Sequence, residues 1–242
     1  MGRKDNTKAK EKKAERKAME VKINAGLANV KLANSQDDPL SQLPSFTKYN
    51  KNGLNLTLET IRSPEADQKT KEWAYKLLED NMSPVYEETY GKNPEFPEER
   101  FNGKEKKEEL LHDNAWLLIA RTEEGSPVAF AHFRYDMDYD DEVLYCYELQ
   151  LEKKYRRKGL GRFIMKLLEL LMIKADMLKI MATIFKKDKS NHGLFKECLK
   201  YEMDETSPYD DVEYQFEYEI VSRFNLKKKR EMEDVENKPM NN

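Results

Sequence analysis

Cysteine, histidine, glycine and long apolar runs are all scarce in this chain. Its 242 residues include 2 cysteines, 3 histidines and 9 glycines. Two cysteines are too few for a disulfide framework, which favours a reducing compartment. Cysteine, histidine and acidic residues do not cluster at the spacing of metal ligands, so no metal site is predicted. No stretch approaches the roughly 18 apolar residues of a membrane helix, and the charged start of the chain does not resemble a signal peptide.

Charged residues, in contrast, are abundant. Hydrophobic residues make up 38% of the chain and charged residues 37%, so we expect one packed domain with solvated helices or tails. The formal net charge of -3 argues against bulk binding to nucleic acid. The composition therefore predicts a soluble intracellular protein with no membrane partner and no direct nucleic-acid partner, and we expect a monomer.

Positive charge is concentrated at the N terminus. Residues 1–22 contain nine Lys and Arg against four Asp and Glu, so the rest of the chain carries a net charge of -8. From Thr7 to about Asn34, apolar residues recur at roughly helical spacing. Three interpretations stay open: a solvated helix with one face on the domain, a disordered basic tail, or a nuclear import or chromatin-contact segment. We assign 1–50 to this basic helix and loop, 51–224 to the domain, and 225–242 to a charged tail expected to be disordered.

Helix and strand patterns alternate through the domain. A mixed sheet with helices on both faces is the economical packing for such an order, so the predicted fold class is α/β (α+β). The predicted elements are a strand at Leu54–Ile61, a helix opened by Ser63-Pro64 and ending near Ser83-Pro84, a polar excursion from Val85 to Glu109 with one short helix, strands at Ala115–Arg121, Pro127–Tyr135 and Glu142–Glu152, a helix from about Gly159 to Asp176, a strand at Lys179–Phe185, a helix from about Ser190 to Lys200 and a strand at Val212–Val221.

A cationic, glycine-containing turn precedes the helix that starts near Gly159. The stretch "YRRKGLGR", residues 155 to 162, lacks the Lys-Ser/Thr pair of a Walker loop, and position 164 is isoleucine where a dinucleotide fingerprint needs glycine. Two such glycines alone are often a plain cap or turn. Four cations and the strand-to-helix context favour an anion site, because the glycines bring the first N–H groups of the helix close to a ligand. The cations are Arg156, Arg157, Lys158 and Arg162.

The strand before this turn carries one acidic residue between apolar ones. A buried carboxylate is costly unless it is paired or used in chemistry. The residues alone leave open a satisfied core carboxylate, an exposed sheet position or a functional acid at Glu148. In "EVLYCYELQLE" a period of two places Val143, Tyr145, Tyr147, Leu149 and Leu151 on one face, and Leu144, Cys146, Glu148 and Gln150 on the other.

Together these residues resemble the GCN5-related N-acetyltransferases (GNAT). Arg156-Arg157-Lys158-Gly159-Leu160-Gly161 matches the R/Q-x-x-G-x-G/A motif that receives the pyrophosphate of acetyl coenzyme A (acetyl-CoA) in that family, and the element order fits its fold from Leu54 to Val221. The resemblance implies a GNAT fold with an added N-terminal helix, and acetyl-CoA as co-substrate. The implied cofactor-binding residues are Leu149, Gln150, Leu151, Arg156, Arg157, Lys158, Gly159, Leu160, Gly161 and Arg162.

The resemblance also implies catalytic roles within the strand. Acetyl transfer needs a neutral amine, and since an α-amino group titrates near about 7.7 to 8.0, a carboxylate acting directly or through water is base enough. Glu148 is implied as the general base of a direct transfer. Tyr145 and Tyr147 could each orient the substrate or donate a proton, with plain aromatic packing as the alternative for both, and no general acid is assigned. We place Tyr147 among the candidate catalytic residues and Tyr145 among the candidate substrate contacts. Backbone N–H groups near Leu149 to Leu151 suit the oxyanion and the pantetheine if the strand splays from its neighbour.

Within that family, four stretches look like the branch that acetylates the N-terminal serine of core histones. They are "HFRYDMDYDDEVLYCYELQLE", "RRKGLG", "MGRK" and "KAKEKK". The resemblance implies histone tails beginning Ser-Gly-Arg-Gly as partners, in cytoplasm and nucleus. Asp136 and Asp138 are either an ordinary solvated turn or a clamp for a cationic substrate. The implied substrate-binding residues are Tyr86, Asp136, Asp138, Tyr145, Ser207 and Tyr218.

Some positions depart from the pattern, and other functions stay open. Tyr90 stands where that branch carries tryptophan, and Asp188 occupies the spacing of a cofactor-contacting Asn in the wider family, while Asn191 lies three positions away. One alternative is a catalytically silent module that binds histone tails through its acids. Another is an acetyltransferase for lysine side chains or for a small amine.

Overall fold

The computed structural model describes residues 3–91, 100–210 and 215–236. Within them it contains a mixed sheet of eight strands in the order β1-β2-β3-β4-β5-β6-β8-β7. The strands are β1 (Lys48–Lys51), β2 (Leu54–Arg62), β3 (Trp116–Arg121), β4 (Pro127–Asp138), β5 (Asp141–Leu151), β6 (Lys179–Phe185), β7 (Glu202–Met203) and β8 (Tyr218–Phe224). The helices are α1 (Arg3–Asn34), α2 (Gln68–Tyr90), α3 (Gly103–Leu110), α4 (Leu160–Lys174), α5 (Lys189–His192) and α6 (Leu226–Glu236).

The sheet separates two hydrophobic cores. In the central strand β3, Trp116 and Leu118 pack into the core that contains α4, whereas Leu117 and Ile119 pack into the core that contains α2. Alternate side chains of a strand point to opposite faces, so a strand covered on both sides is apolar throughout. The predicted mixed sheet with helices on both faces is therefore confirmed.

Strands β5 and β6 pair in parallel, and they diverge part of the way along. Their register runs from Val143 opposite Lys179 to Cys146 opposite Ala182. Beyond that point β5 continues to Leu151 beside β4, while β6 continues to Phe185 beside β8. The sheet thus opens between β5 and β6 just before Glu148, as the predicted splay requires.

Helix α2 differs from its prediction at both ends. Ser63–Glu65 is a separate 3-10 turn, and α2 begins at Gln68, where the Asp67 carboxylate accepts a hydrogen bond from the Thr70 N–H at 3.0 Å. The helix also continues through Pro84 to Tyr90. Its last turn packs Tyr86 and Tyr90 against Phe185, with ring centroids 4.9 and 6.0 Å apart. These tertiary contacts outweigh the hydrogen bond that proline removes.

Three C-terminal predictions need correction. The helix predicted from Ser190 to Lys200 is the short α5 followed by a π-helical turn at Gly193–Cys198. The last strand runs from Tyr218 to Phe224, and the predicted start at Val212 lies outside the described residues. Residues 226–236, placed in a disordered tail, form α6, because the Asn225 side chain caps its first turn and Lys228 pairs with Asp176 at 3.0 Å. Residues 237–242 are outside the described part.

Helix α1 packs its second half on the domain. Lys22 pairs with Asp141 at 2.7 Å, the Asn34 side chain donates to the Tyr135 carbonyl at 2.9 Å, and Ala33 is buried. Residues 12–20 are exposed, so α1 is a helix whose first described side chains are solvated and whose second half packs on the domain. Among the helices of the described ranges, none combines the length and apolarity needed to cross a membrane.

Candidate active site

The glycine turn is held in shape by the β1–β2 hairpin. Gly159 has φ 82°, in the left-handed region, and α4 begins at the next residue. The Tyr49 hydroxyl and the Asn52 amide both donate to the Lys158 carbonyl, at 2.5 and 2.9 Å. A Cβ atom on Gly159 would lie 2.8 Å from the Tyr49 hydroxyl oxygen, so only glycine fits this position without displacing it.

The structure brings the predicted anion-binding residues together at the start of α4. Arg156 donates to the Leu151 carbonyl at 3.0 Å and to the Asn81 side chain at 2.6 Å, which links the turn to β5 and α2. Arg157 and Arg162 are exposed, and Gly159 offers no capping side chain to the first N–H groups of α4. Uncapped N–H groups, the helix dipole and exposed cations fit a diphosphate. The Leu160 side chain is buried in the core, so only its backbone faces this site.

A bulge in β5 overturns the predicted assignment of side chains to faces. Cys146 pairs with Phe133 and Glu148 with His132, which leaves Tyr147 as an extra residue. The Cys146 sulfur therefore lies 3.9 Å from Met165 of α4, whereas Glu148 faces Lys106 of α3 on the opposite side of the sheet. After the bulge, Leu149 and Leu151 join Leu144 and Cys146 on the α4 side.

Glu148 is a buried carboxylate with two polar partners. Its side chain is 7% exposed. One oxygen accepts a hydrogen bond from the Gln150 amide at 2.8 Å, and the other lies 3.5 Å from the Lys106 ammonium. Burial raises the pKa of Glu148 above its ordinary value, while Lys106 and the Gln150 hydrogen bond act in the opposite direction. A raised pKa makes this carboxylate a stronger proton acceptor than an exposed glutamate.

Two tyrosines line β5 beside this carboxylate. The Tyr145 hydroxyl hydrogen-bonds the Thr183 hydroxyl at 2.6 Å, across the point where β5 and β6 part, and burial raises the pKa of Tyr145 to about 12. Tyr147 stacks on His132 at 5.1 Å, with the Arg134 guanidinium 4.5 Å from its ring centroid. The two tyrosine rings are 4.8 Å apart. Both phenols stay protonated near neutral pH and are available as donors.

The two predicted acids differ in exposure. Asp136 is exposed, and its side chain accepts a hydrogen bond from the Met137 N–H at 2.8 Å. Asp138 is half-buried, and burial raises its pKa. Asp136 lies opposite Val143 and Asp138 opposite Asp141 in the β4–β5 register, so the two acids share a face of the sheet, and it is the face that carries Tyr145. Burial raises the pKa of Tyr147, Arg134 lowers it, and both carboxylates raise it.

Of the remaining predicted substrate contacts, Tyr86 lies near Glu148, whereas Ser207 and Tyr218 lie at strand β8. Tyr86 packs on Phe101 and Phe185, and the Lys106 ammonium lies 5.9 Å from its ring centroid, so Tyr86 belongs to the surroundings of Glu148. Ser207 is buried and accepts a hydrogen bond from the Ile220 N–H at 3.0 Å, which fixes it to β8. Tyr218 lies opposite Phe185 in the β6–β8 register, with its ring 5.8 Å from that of Phe216.

Asp188, which stood at the spacing of a cofactor contact, caps α5 instead. Its carboxylate accepts hydrogen bonds from the Ser190 and Asn191 N–H groups at 2.8 and 3.2 Å. A cap of this kind satisfies backbone donors of the first helical turn. The geometry gives Asp188 a structural role within α5.

Sequence reasoning missed several residues around the site. The dipeptide Asn52-Gly53 is a hairpin signal and could have located the β1–β2 turn that holds Lys158. Lys106 lies in "KEKKEE", which reads as a solvated helix face, and nothing in the local pattern singles it out. Thr183 contacts Tyr145, and His132 contacts Tyr147, from neighbouring strands. Which strands are neighbours is known only from the fold. Across residues 3–91, 100–210 and 215–236, no group of three or more His, Cys, Asp or Glu could hold a metal ion.

The site thus combines a cationic glycine turn, an opened sheet edge and a buried carboxylate beside it. A model of the acetyltransferase (GNAT) family matches residues 75–201, just over half of the chain, and that span contains the turn and Glu148. The chain therefore belongs to the GNAT acetyltransferase family. Family membership confirms the predicted fold and the predicted class of reaction, acetyl transfer.

Solved structures of several acetyltransferases have a similar fold at low sequence identity. A GNAT acetyltransferase from Listeria monocytogenes is 12% identical, with a TM-score of 0.49 over 73% of this chain and 99% of its own. PaiA N-acetyltransferase from Thermoplasma acidophilum, solved with coenzyme A, is 13% identical, with a TM-score of 0.47 over 69% and 99%. Arabidopsis thaliana Naa50, solved with the bisubstrate analogue CoA-Ac-MVNAL, is 15% identical, with a TM-score of 0.46 over 69% and 97%.

Proposed function

We propose that this protein transfers the acetyl group of acetyl-CoA to the α-amino group of the N-terminal serine of core histones, types four and two-A. This is the activity of N-alpha-acetyltransferase D, which the sequence resembles in its β4–β5 hairpin, its glycine turn and its N-terminal residues. The observation that carries the proposal is a buried carboxylate, Glu148, where β5 parts from β6. We also propose that it acts in cytoplasm and nucleus, where such histones are made and used.

The turn at residues 156–162 holds the diphosphate of the donor. Arg157 and Arg162 neutralise charge, and the first N–H groups of α4 supply hydrogen bonds. The β5 edge from Leu149 to Leu151, exposed by the divergence from β6, pairs with the amides of the pantetheine arm. Acetyl-CoA supplies the acetyl group as a thioester, an activated acyl donor.

Glu148 takes the proton from the incoming α-ammonium, directly or through one water. The freed nitrogen lone pair attacks the carbonyl carbon, and backbone N–H groups of the opened β5 edge stabilise the negative oxygen that develops there. As the carbon–sulfur bond breaks, the nitrogen releases its second proton to solvent and the sulfur leaves as a thiolate. Tyr147, whose pKa is raised by burial and which is therefore protonated, donates its proton to that thiolate and regains one from solvent.

Acidic and aromatic side chains hold the peptide. Tyr86 supplies an aromatic wall beside Glu148, while Asp136 and Asp138 attract the arginine at the third substrate position. Tyr145 orients the serine end, and Ser207 and Tyr218 are the further substrate contacts that the resemblance implies. Acidic side chains beside the site favour a basic tail over a neutral or acidic one.

Replacing Asp136 by Asn is expected to raise the Michaelis constant for a Ser-Gly-Arg-Gly peptide roughly two- to five-fold, because an exposed carboxylate contributes up to about 1 kcal/mol to an ion pair. The turnover number should stay near the wild-type value. Steady-state kinetics gives both constants, with Asp140→Asn as a matched control at another exposed acid. A Ser-Gly-Ala-Gly peptide, which lacks the arginine, checks that Asp136 pairs with that arginine. An equal Michaelis constant for Asp136→Asn and wild type would show that Asp136 does not bind the substrate peptide.

The proposed activity is tested with radiolabelled acetyl-CoA and a Ser-Gly-Arg-Gly-Lys peptide beside a scrambled control. We expect label on the Ser-Gly-Arg-Gly-Lys peptide and not on the scrambled control, and mass spectrometry should place the acetyl group on the α-nitrogen. Label on the lysine nitrogen would indicate a lysine acetyltransferase instead. Binding of the peptide without transfer would indicate a silent histone-tail module.

A further inference from the structure

The cation closest to Glu148 comes from another element of the fold. Lys106 of α3 places its ammonium 3.5 Å from one Glu148 oxygen and 2.9 Å from a Glu109 oxygen. Its side chain is 22% exposed, whereas that of Glu148 is 7% exposed. Because Glu148 is more buried than Glu109, water screens its contact with Lys106 less, which offsets part of the greater distance.

Helix α3 is fixed firmly enough to hold this ammonium in place. The Asn102 side chain caps its start, with the Lys104 N–H at 3.1 Å. At the other end Leu110 is buried, the Ser63 hydroxyl donates to the Leu110 carbonyl, and Arg134 of β4 donates to the Glu109 carbonyl at 2.5 Å. Lys106 is therefore presented by a helix anchored to β2 and β4.

Each element around Glu148 contributes charged or titratable groups. Lys106 is the cation in direct contact, and it remains charged because its pKa is raised: burial opposes the charge, but Glu148, Tyr86 and Glu109 outweigh it. His132 lies opposite Glu148 in the sheet and is neutral, since burial lowers its pKa well below the ordinary value. The facing groups are Tyr86 on α2, Lys106 and Glu109 on α3, His132 and Arg134 on β4, and Tyr147 and Gln150 on β5.

We propose that Lys106 is a positioning residue that keeps Glu148 ionised and oriented in the neutral pH range. Burial alone favours the protonated acid, which cannot accept a proton from an amine. The fixed ammonium offsets that cost, and Gln150 orients the second oxygen. The consequence for catalysis rests on the proposed function, but the charge state of Glu148 is measurable without it.

The first test is a double-mutant cycle of Lys106→Met and Glu148→Gln, followed by denaturant unfolding at pH 4 and at pH 8. Without Lys106 the pKa of Glu148 rises further, so its ionisation costs more folding free energy as the pH increases. The coupling between the two sites should therefore be present at pH 8 and vanish at pH 4, where Glu148 is protonated. Lys106→Met also breaks the ion pair with Glu109. Measuring the same substitution in the Glu148→Gln background gives the size of that effect, and the cycle subtracts it. Equal coupling at both pH values would refute the inference, whatever the catalytic activity.

The second test is the pH dependence of acetyl transfer. In Lys106→Met the acid limb of kcat/KM should move up by roughly one to two pH units, since an opposite charge this close shifts a carboxyl pKa by about that much. The substrate amine titrates in the same way with every variant, so it does not contribute to the difference between their acid limbs. Lys106→Arg should restore the wild-type limb, and Lys104→Met, an exposed lysine of the same helix, should leave it unchanged. A uniform loss of rate with an unmoved limb would show that Lys106 is only structural.

Discussion

Replacing Glu148 by Gln is expected to lower the turnover number by roughly 10² to 10⁴, the range supplied by a positioned general base. Glutamine keeps the size of the side chain but cannot take a proton from the substrate ammonium. The affinity for coenzyme A should stay within about twofold of wild type, because the proposed diphosphate site lies at the start of α4. Stopped assays of acetyl transfer and titration calorimetry with coenzyme A measure the two quantities separately.

A second variant controls for the loss of a buried carboxylate as such. Glu169 of α4 is also buried and pairs with Lys166 at 2.8 Å. Glu169→Gln should cost stability but retain turnover near the wild-type value. If Glu148→Gln turned over as fast as wild type from pH 6 to pH 9, Glu148 would not be the base.

Replacing Gly159 by Ala is expected to weaken coenzyme A binding roughly tenfold or more. The new Cβ atom would lie 2.8 Å from the Tyr49 hydroxyl, and the left-handed backbone costs a residue with a Cβ about 1–2 kcal/mol. The turn must therefore move, and the N–H groups proposed to bind the diphosphate move with it. Titration calorimetry with coenzyme A gives the change in dissociation constant.

Gly125→Ala is the matched control for this substitution. Gly125 has φ 84°, close to the 82° of Gly159, but nothing lies within 4 Å of its added Cβ atom. Both variants should lose a similar amount of stability from the backbone strain, and only Gly159→Ala should lose affinity. Equal dissociation constants for the two variants would contradict the assignment of this turn to the diphosphate.

Most of the central sheet was predictable because its strands are apolar, separated by clear turn residues and long enough to show a pattern. The predicted Pro127–Tyr135 and Lys179–Phe185 strands agree with the structure at one or both ends. The four-residue strand β1 was missed, since "KYNK" is polar and too short for a period-two signal. Helix α2 ran past its predicted proline stop because aromatic packing at Tyr86 and Tyr90 is a tertiary effect.

The position of Glu148 in the chain was evident from the sequence, but the side of the sheet on which it lies was not. A bulge inserts one residue without any necessary change in composition, so period two gives the wrong face after Tyr147. Glu148 and Cys146, predicted to share a face, are on opposite sides. Lys106 could not be predicted as its partner, because their 42-residue separation is closed only when α3 docks on the sheet.

The proposal is tested most directly by a crystal structure with coenzyme A joined covalently to a Ser-Gly-Arg-Gly peptide. We expect the diphosphate against the N–H groups of residues 159–161, the pantetheine along the β5 edge, and the serine nitrogen within hydrogen-bond reach of Glu148 or of one water bound to it. A diphosphate bound elsewhere, or a serine nitrogen separated from Glu148 by packed side chains, would contradict it.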